Sequence, residues 1–224
     1  CVCFLLWRQI RNLDPAQSHH AHVTSGFFKQ LKHVAHDAWA RTLLTLAVIE
    51  GAMIFGLLAV TASHLHQMNQ ISLTLAGGTT GLFGLGGMAY MAAAKFVIRR
   101  FGEVGLARYG GLYFGLSFGV IAYTPWWQLA LPACFVGGFG FAMFHNTLQA
   151  KVTQMAPQAR GTAVTLFASG LFLGQSLGVT AVTQVVDRWG SAQVMALVDL
   201  CLVMVVLVFV RMLRARNATD LDRA

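Results

Sequence analysis

The sequence predicts an all-α membrane protein with six transmembrane helices, and three observations carry that reading. Mean hydropathy is +0.62, and only 11% of the 224 residues are charged, against about 25% in a typical soluble domain. Apolar residues make up 56% of the chain, more than one small core can hide. They fall in continuous runs, not alternating ones. That excludes a membrane β-barrel and leaves helices to bond every backbone group inside lipid.

A span needs about 20 mostly apolar residues. Six runs qualify: 42–63, 74–98, 106–124, 127–150, 162–186 and 192–211. Each is uncharged or nearly so along its centre. The segments between them (64–73, 99–105, 125–126, 151–161 and 187–191) are short and polar or turn-forming, so neighbouring helices run antiparallel. Residues 42–211 therefore form one six-helix unit, followed by a short basic tail, 212–224.

The basic residues orient the unit. Of sixteen Lys and Arg, Arg188 alone falls on one side, and the other fifteen collect opposite it, in or beside the alternate loops and the tails. The positive-inside rule makes that side cytoplasmic and places both chain ends there, in a multi-pass cell (plasma or inner) membrane protein. Tyr123, Trp126 and Trp127 fall at the opposite interface, where aromatic rings belong. With the cations explained by topology, the net charge of +8 calls for no nucleic-acid partner; the lipid bilayer is the partner it implies.

Residues 1–7 are apolar and end at Arg8, as the tail of a preceding membrane helix would. Residues 8–41 read as a polar, His-rich cytoplasmic linker. Within it, Phe27, Phe28, Leu31, Val34, Ala35, Ala38 and Trp39 sit at helical spacing, interleaved with Lys29, Lys32, His33 and His36, which predicts an amphipathic surface helix. The histidines are loosely spaced and joined by no cysteine, so no metal site is assigned. The four cysteines lie in apolar stretches and imply no disulfide framework. There is no phosphate-binding G-x-x-x-x-G-K-[ST], no H-E-x-x-H and no G-x-S-x-G; neither an enzyme nor a cofactor is expected.

Glycines crowd the second span (Gly77, Gly78, Gly81, Gly84, Gly86, Gly87), the fourth (Gly137, Gly138, Gly140) and the fifth (Gly170, Gly174, Gly178). Small residues let helix backbones approach closely. Such faces serve static packing, sliding during a conformational cycle, or both.

Two loop segments add a resemblance. After the second span the chain reads Lys95-Phe-Val-Ile-Arg99-Arg100-Phe101-Gly102-Glu103. This resembles the G-x-x-x-D-R-x-G-R/K loop of the major facilitator superfamily. Arg100 and Gly102 match, Arg99 stands for the Asp, Lys95 for the Gly and Glu103 for a basic residue. Between the fourth and fifth spans, Pro157-Gln-Ala-Arg160-Gly161 resembles the P-x-x-R-G segment of drug-efflux and sugar-efflux branches. The resemblance covers the whole chain and implies the C-terminal half of a twelve-helix fold with a 3+3 inverted repeat. It implies a missing N-terminal six-helix half as partner, a small-molecule substrate, and protons as the coupling ion. Efflux rather than uptake, and hence an antiporter, is implied by the branch alone.

A charge at the centre of a membrane helix costs at least about 2.5–3.5 kcal/mol, so buried ionisable residues are the first functional candidates. Glu50 lies in the first span. His145, Asn146 and Gln149 lie in the cytoplasmic half of the fourth, with His145 and Gln149 four apart on one face. Together they are the candidate proton or substrate group. Asp199, in the last span, and Gln175, in the fifth, are expected to make structural polar contacts. The function expected is secondary active transport of a small organic solute, proton-coupled, by alternating access. The alternative is a non-transporting membrane assembly partner or receptor.

Overall fold

A computed structural model describes residues 36–155 and 159–221. Residues 1–35, most of the predicted linker and surface helix, lie outside the described part, as do Pro157 and 222–224. Within it the chain is all helical. Five helices follow in order: α1 (Ala38–Asn69), α2 (Leu73–Tyr123), α3 (Ala130–Met155), α4 (Arg160–Trp189) and α5 (Ser191–Leu221), with one 3-10 turn (Trp127–Leu129) before α3. All five, α3 counted with that turn, are long and apolar enough to cross a membrane.

The helices are longer, and the connections shorter, than hydropathy alone predicts, because polar residues cap helix ends inside the expected loops. Asp37 accepts a 2.7 Å hydrogen bond from the Ala40 amide, so α1 begins four residues before the predicted span and takes in Ala38–Arg41. The helix runs on to Asn69 and ends at Gln70, whose φ of 54° is left-handed. Ser72 then accepts from the Leu75 amide and starts α2. Between α4 and α5 only Gly190, at φ 81°, leaves helical geometry.

α2 holds 51 residues, yet it is not one rod. Gly102 has φ 63° and ψ 178°, a region essentially reserved for glycine. The Phe83 and Phe114 rings sit 6.3 Å apart. In a continuous helix those 31 residues would separate them by about 46 Å at 1.5 Å per residue. The chain therefore doubles back at Gly102. Its first limb (73–101) and second limb (103–123) lie side by side, and Tyr90, Val97 and Leu106 bury together against Met143 of α3.

Glycine contacts set the closest approaches. Gly174 meets the Val48 carbonyl and Gly178 the Ala52 carbonyl, so α4 runs parallel to α1 at backbone contact. On α3, Gly138 faces the Phe83 carbonyl and Gly140 the Gly110 carbonyl, which holds both limbs of α2. α5 closes the second limb by setting Val206 on Gly111 and Val203 on Gly115. By contrast, side chains added at Gly77, Gly78, Gly81 and Gly84 would meet nothing within 4 Å among the described residues. Their face of α2 is open, so the crowding expected of the second span is realised at Gly86.

Opposite ends of the bundle differ chemically. Glu103, just after the Gly102 break, accepts a 2.6 Å ion pair from Lys151 near the end of α3, and Arg216 lies over Trp39 at the start of α1. At the other end, His64 joins Ser191 and the Ile121 carbonyl, and Asn69 donates to the carbonyls of Thr124 and Pro125. That end holds Arg188.

Candidate polar site in the helix bundle

Glu50 lies midway along α1 and is 1% exposed. Burying a carboxylate demands a partner, and α3 supplies it. His145 Nδ1 stands 3.2 Å from both Glu50 carboxylate oxygens, within hydrogen-bond reach of each. The sequence-predicted acid and histidine, 95 positions apart, are thus brought together.

Aromatic rings fix the imidazole. Phe141, one turn earlier on α3, and Phe167 of α4 each place a ring centroid 5.3 Å from the His145 ring. Phe141 stacks in turn on Phe83 at 5.6 Å and meets Phe55 edge-on. The pair therefore sits in a low-dielectric shell, with Glu50 sealed and the His145 side chain still 23% exposed.

Asn146 turns away from Glu50. Its amide donates a 2.8 Å hydrogen bond to the Tyr90 hydroxyl on the first limb of α2. Tyr90 is fully buried and packs edge-on against Phe139. Gln149 is exposed, and Gln175 half-buried, its backbone amide close to Gly51. The four-residue cluster read from the sequence therefore resolves into two contacts, Glu50–His145 and Tyr90–Asn146, joined through neighbouring residues of α3.

Asp199 stands apart on α5. It is buried, with its carboxylate 3.9 Å from where side chains on Gly115 and Gly119 would begin. Its Oδ1 finds no hydrogen-bond partner among the described residues.

The first loop motif falls where the chain reverses. Gly102 makes the α2 turn, and Lys95, Arg99 and Arg100 line an open cavity of about 620 Å³ beside Phe96. Arg160 begins α4, and Gly161 has open space around it.

A family model described as the Major Facilitator Superfamily matches residues 1–179, about four-fifths of the 224 residues. The chain belongs to the major facilitator superfamily. No curated protein and no solved structure matches it. As a superfamily member it is a multi-pass membrane protein, and its family transports small solutes across membranes and is not one of enzymes.

For such a transporter, two contacts escaped the reading of the sequence. Tyr90 was one apolar residue among many in a glycine-rich run, and nothing marked it as the partner of Asn146. His64 lies one residue past a predicted span, yet it is 2% exposed and bonded by both ring nitrogens. The signal was present: Leu57, Val60, Thr61, His64 and Leu65 continue the buried face of α1 at helical spacing.

Proposed function

We propose that the chain forms one six-helix half of a proton-coupled exporter of a small organic solute, working by alternating access, with Glu50 and His145 as its proton-handling pair. The reading rests on one observation: a buried acid and a partly exposed imidazole, from different helices, meet within an apolar shell.

The pair balances electrically in two forms, carboxylate with imidazolium or neutral acid with neutral ring. One proton more or fewer leaves a net charge, which is costly at low dielectric unless the surroundings change. Helix movement that opens the pair to water or to a charged substrate relieves that cost, and so links proton count to conformation. The parallel, side-chain-free contact of Gly174 and Gly178 with α1 suits rocking of packed helices. Sites of this kind form near the bilayer midplane between transporter halves, so the working protein needs a second six-helix half, protons and the solute as partners.

Six crossings fit the geometry better than five. A straight 51-residue helix would measure about 76 Å, against a hydrocarbon core of about 30 Å, and the reversal at Gly102 yields two limbs of span length. Arg41, Arg99, Arg100, Lys151, Arg160 and Arg211 then sit on the side that the positive-inside rule assigns to the cytoplasm, opposite Arg188.

The test is transport by the natural protein in proteoliposomes, screened against a panel of small organic molecules under an imposed pH gradient. Glu50→Gln and His145→Gln are expected to abolish gradient-driven flux while solute exchange without a gradient persists. Unchanged gradient-driven flux in Glu50→Gln would overturn the proposal.

A further inference from the structure

We propose that the basic end of the bundle carries a binding site for the phosphate headgroup of an anionic phospholipid, formed by Lys151 and Arg216 around a cavity between α1, α3 and α5. This cavity holds about 180 Å³ and is lined by Trp39, Lys151, Gln154, Met155, Arg216 and Asn217. It lies at the bundle end opposite His64 and Ser191, and plays no part in the Glu50–His145 reading.

Its charges are arranged for an anion. Arg216 carries its guanidinium 4.8 Å above the Trp39 ring, and Trp39 is stacked on Phe209 at 6.4 Å. The guanidinium is thus held in place by an aromatic face. No carboxylate lies within ion-pair distance of it among the described residues. Lys151 uses one ammonium donor on Glu103, at 2.6 Å, and a second on the Gln154 side-chain oxygen, at 3.2 Å; an ammonium has three. Glu103 holds Lys151, Asp37 caps α1 through the Ala40 amide, and neither lines the cavity. A fork-shaped cation, a spare ammonium donor and two side-chain amides therefore converge on one small space, a donor set suited to phosphate oxygens.

The surroundings favour a lipid as the source of that phosphate. Met212 and Val208, one and two turns before Arg216 on α5, are exposed apolar side chains. Acyl chains can lie along them while the headgroup enters the cavity. Basic pockets between membrane helices recognise anionic headgroups in this way.

The experiment titrates the natural protein in detergent with phosphatidylglycerol, phosphatidylcholine and inorganic phosphate, each alone, reading bound lipid by native mass spectrometry and stability by thermal melting. Phosphatidylglycerol is expected to bind and raise the melting temperature; the other two are not. Arg216→Gln should weaken phosphatidylglycerol binding about tenfold, the scale of one charge-assisted hydrogen bond. Arg216→Lys should restore part of it, and Arg214→Gln, exposed and outside the cavity lining, should change nothing. Equal binding of the two phospholipids, or equal losses in Arg214→Gln and Arg216→Gln, would overturn the site. Saturation by inorganic phosphate alone would overturn its assignment to lipid. Should Arg216→Gln not fold, the comparison of the three ligands on the unaltered protein decides.

Discussion

His145 Nδ1 lies 3.2 Å from each carboxylate oxygen of Glu50, so one ring nitrogen bridges both oxygens of an acid that has no other hydrogen-bond partner among the described residues. Two consequences follow for stability. Removing one partner of a buried pair leaves the other uncompensated, at about 3–5 kcal/mol when both are sealed. The His145 side chain is 23% exposed, and water there reduces the loss to about 1–3 kcal/mol. Glu50→Leu should cost that much, while Glu50→Leu with His145→Leu should return close to the wild-type value. A double-mutant cycle on unfolding of the purified protein measures the coupling. Strictly additive single effects would show that the two side chains do not interact.

Gly102 is the second point of leverage. At φ 63° and ψ 178°, a side chain there is strained by about 1–3 kcal/mol, although no described residue occupies the space. Gly102→Ala should therefore lower the melting temperature through the backbone alone. Gly84 is helical with equally open space, and Gly84→Ala should be neutral or raise stability by up to about 1 kcal/mol. Thermal melting of the two variants side by side checks this. Equal behaviour would mean that the reversal at residue 102 does not depend on glycine.

Much of this was readable in advance, and the reasons differ from residue to residue. Continuous apolar runs located the helices, because lipid requires length and apolarity of each crossing separately. Glu50 and His145 stood out because a titratable group inside an apolar run has few structural excuses. Their meeting could not be read, since it depends on which helix faces which. The same limit explains the glycines. Their number in the second span promised close packing, yet Gly86 meets Phe135 and Phe139 while Gly77, Gly78, Gly81 and Gly84 face open space. Loop lengths were overestimated where polar residues such as His64 and Asn69 extend a helix past its apolar core. Hydropathy registers those side chains as water-facing, although His64 is bonded inward at the helix end.

The small-residue row of α4 is not uniform, and this can be measured. A side chain added at Gly178 would run into the Ala52 backbone, and one at Gly174 into that of Val48. At Gly170 the nearest atoms, on Val48 and Leu44, are 3.4 and 3.5 Å away, which is ordinary contact. Gly174→Ala and Gly178→Ala should each cost about 1–3 kcal/mol by forcing α1 and α4 apart, and Gly170→Ala should be tolerated. The fraction of folded protein after heating, read by size-exclusion chromatography, distinguishes them. Equal loss at all three positions would indicate that the helix crossing, rather than the individual contacts, sets the tolerance.

Asp199 supplies the last expectation. Its carboxylate lies against Gly115 and Gly119, and its Oδ1 finds no hydrogen-bond partner among the described residues. One turn further along α5, Val203 fills the corresponding space over Gly115, and Val206 does so over Gly111. Asp199→Val would extend that apolar ladder at nearly constant volume and remove an unsatisfied polar group, whose burial costs about 1–3 kcal/mol by mutational measures. The variant should therefore melt at a higher temperature than the wild type, by an amount corresponding to a gain on that scale. If Asp199 only packs, gradient-driven flux should also stay unchanged in proteoliposomes. A more stable variant that no longer transports would show instead that the bundle tolerates an unpaired acid at this position because the transport cycle uses it, as proteins keep destabilising groups where function requires them.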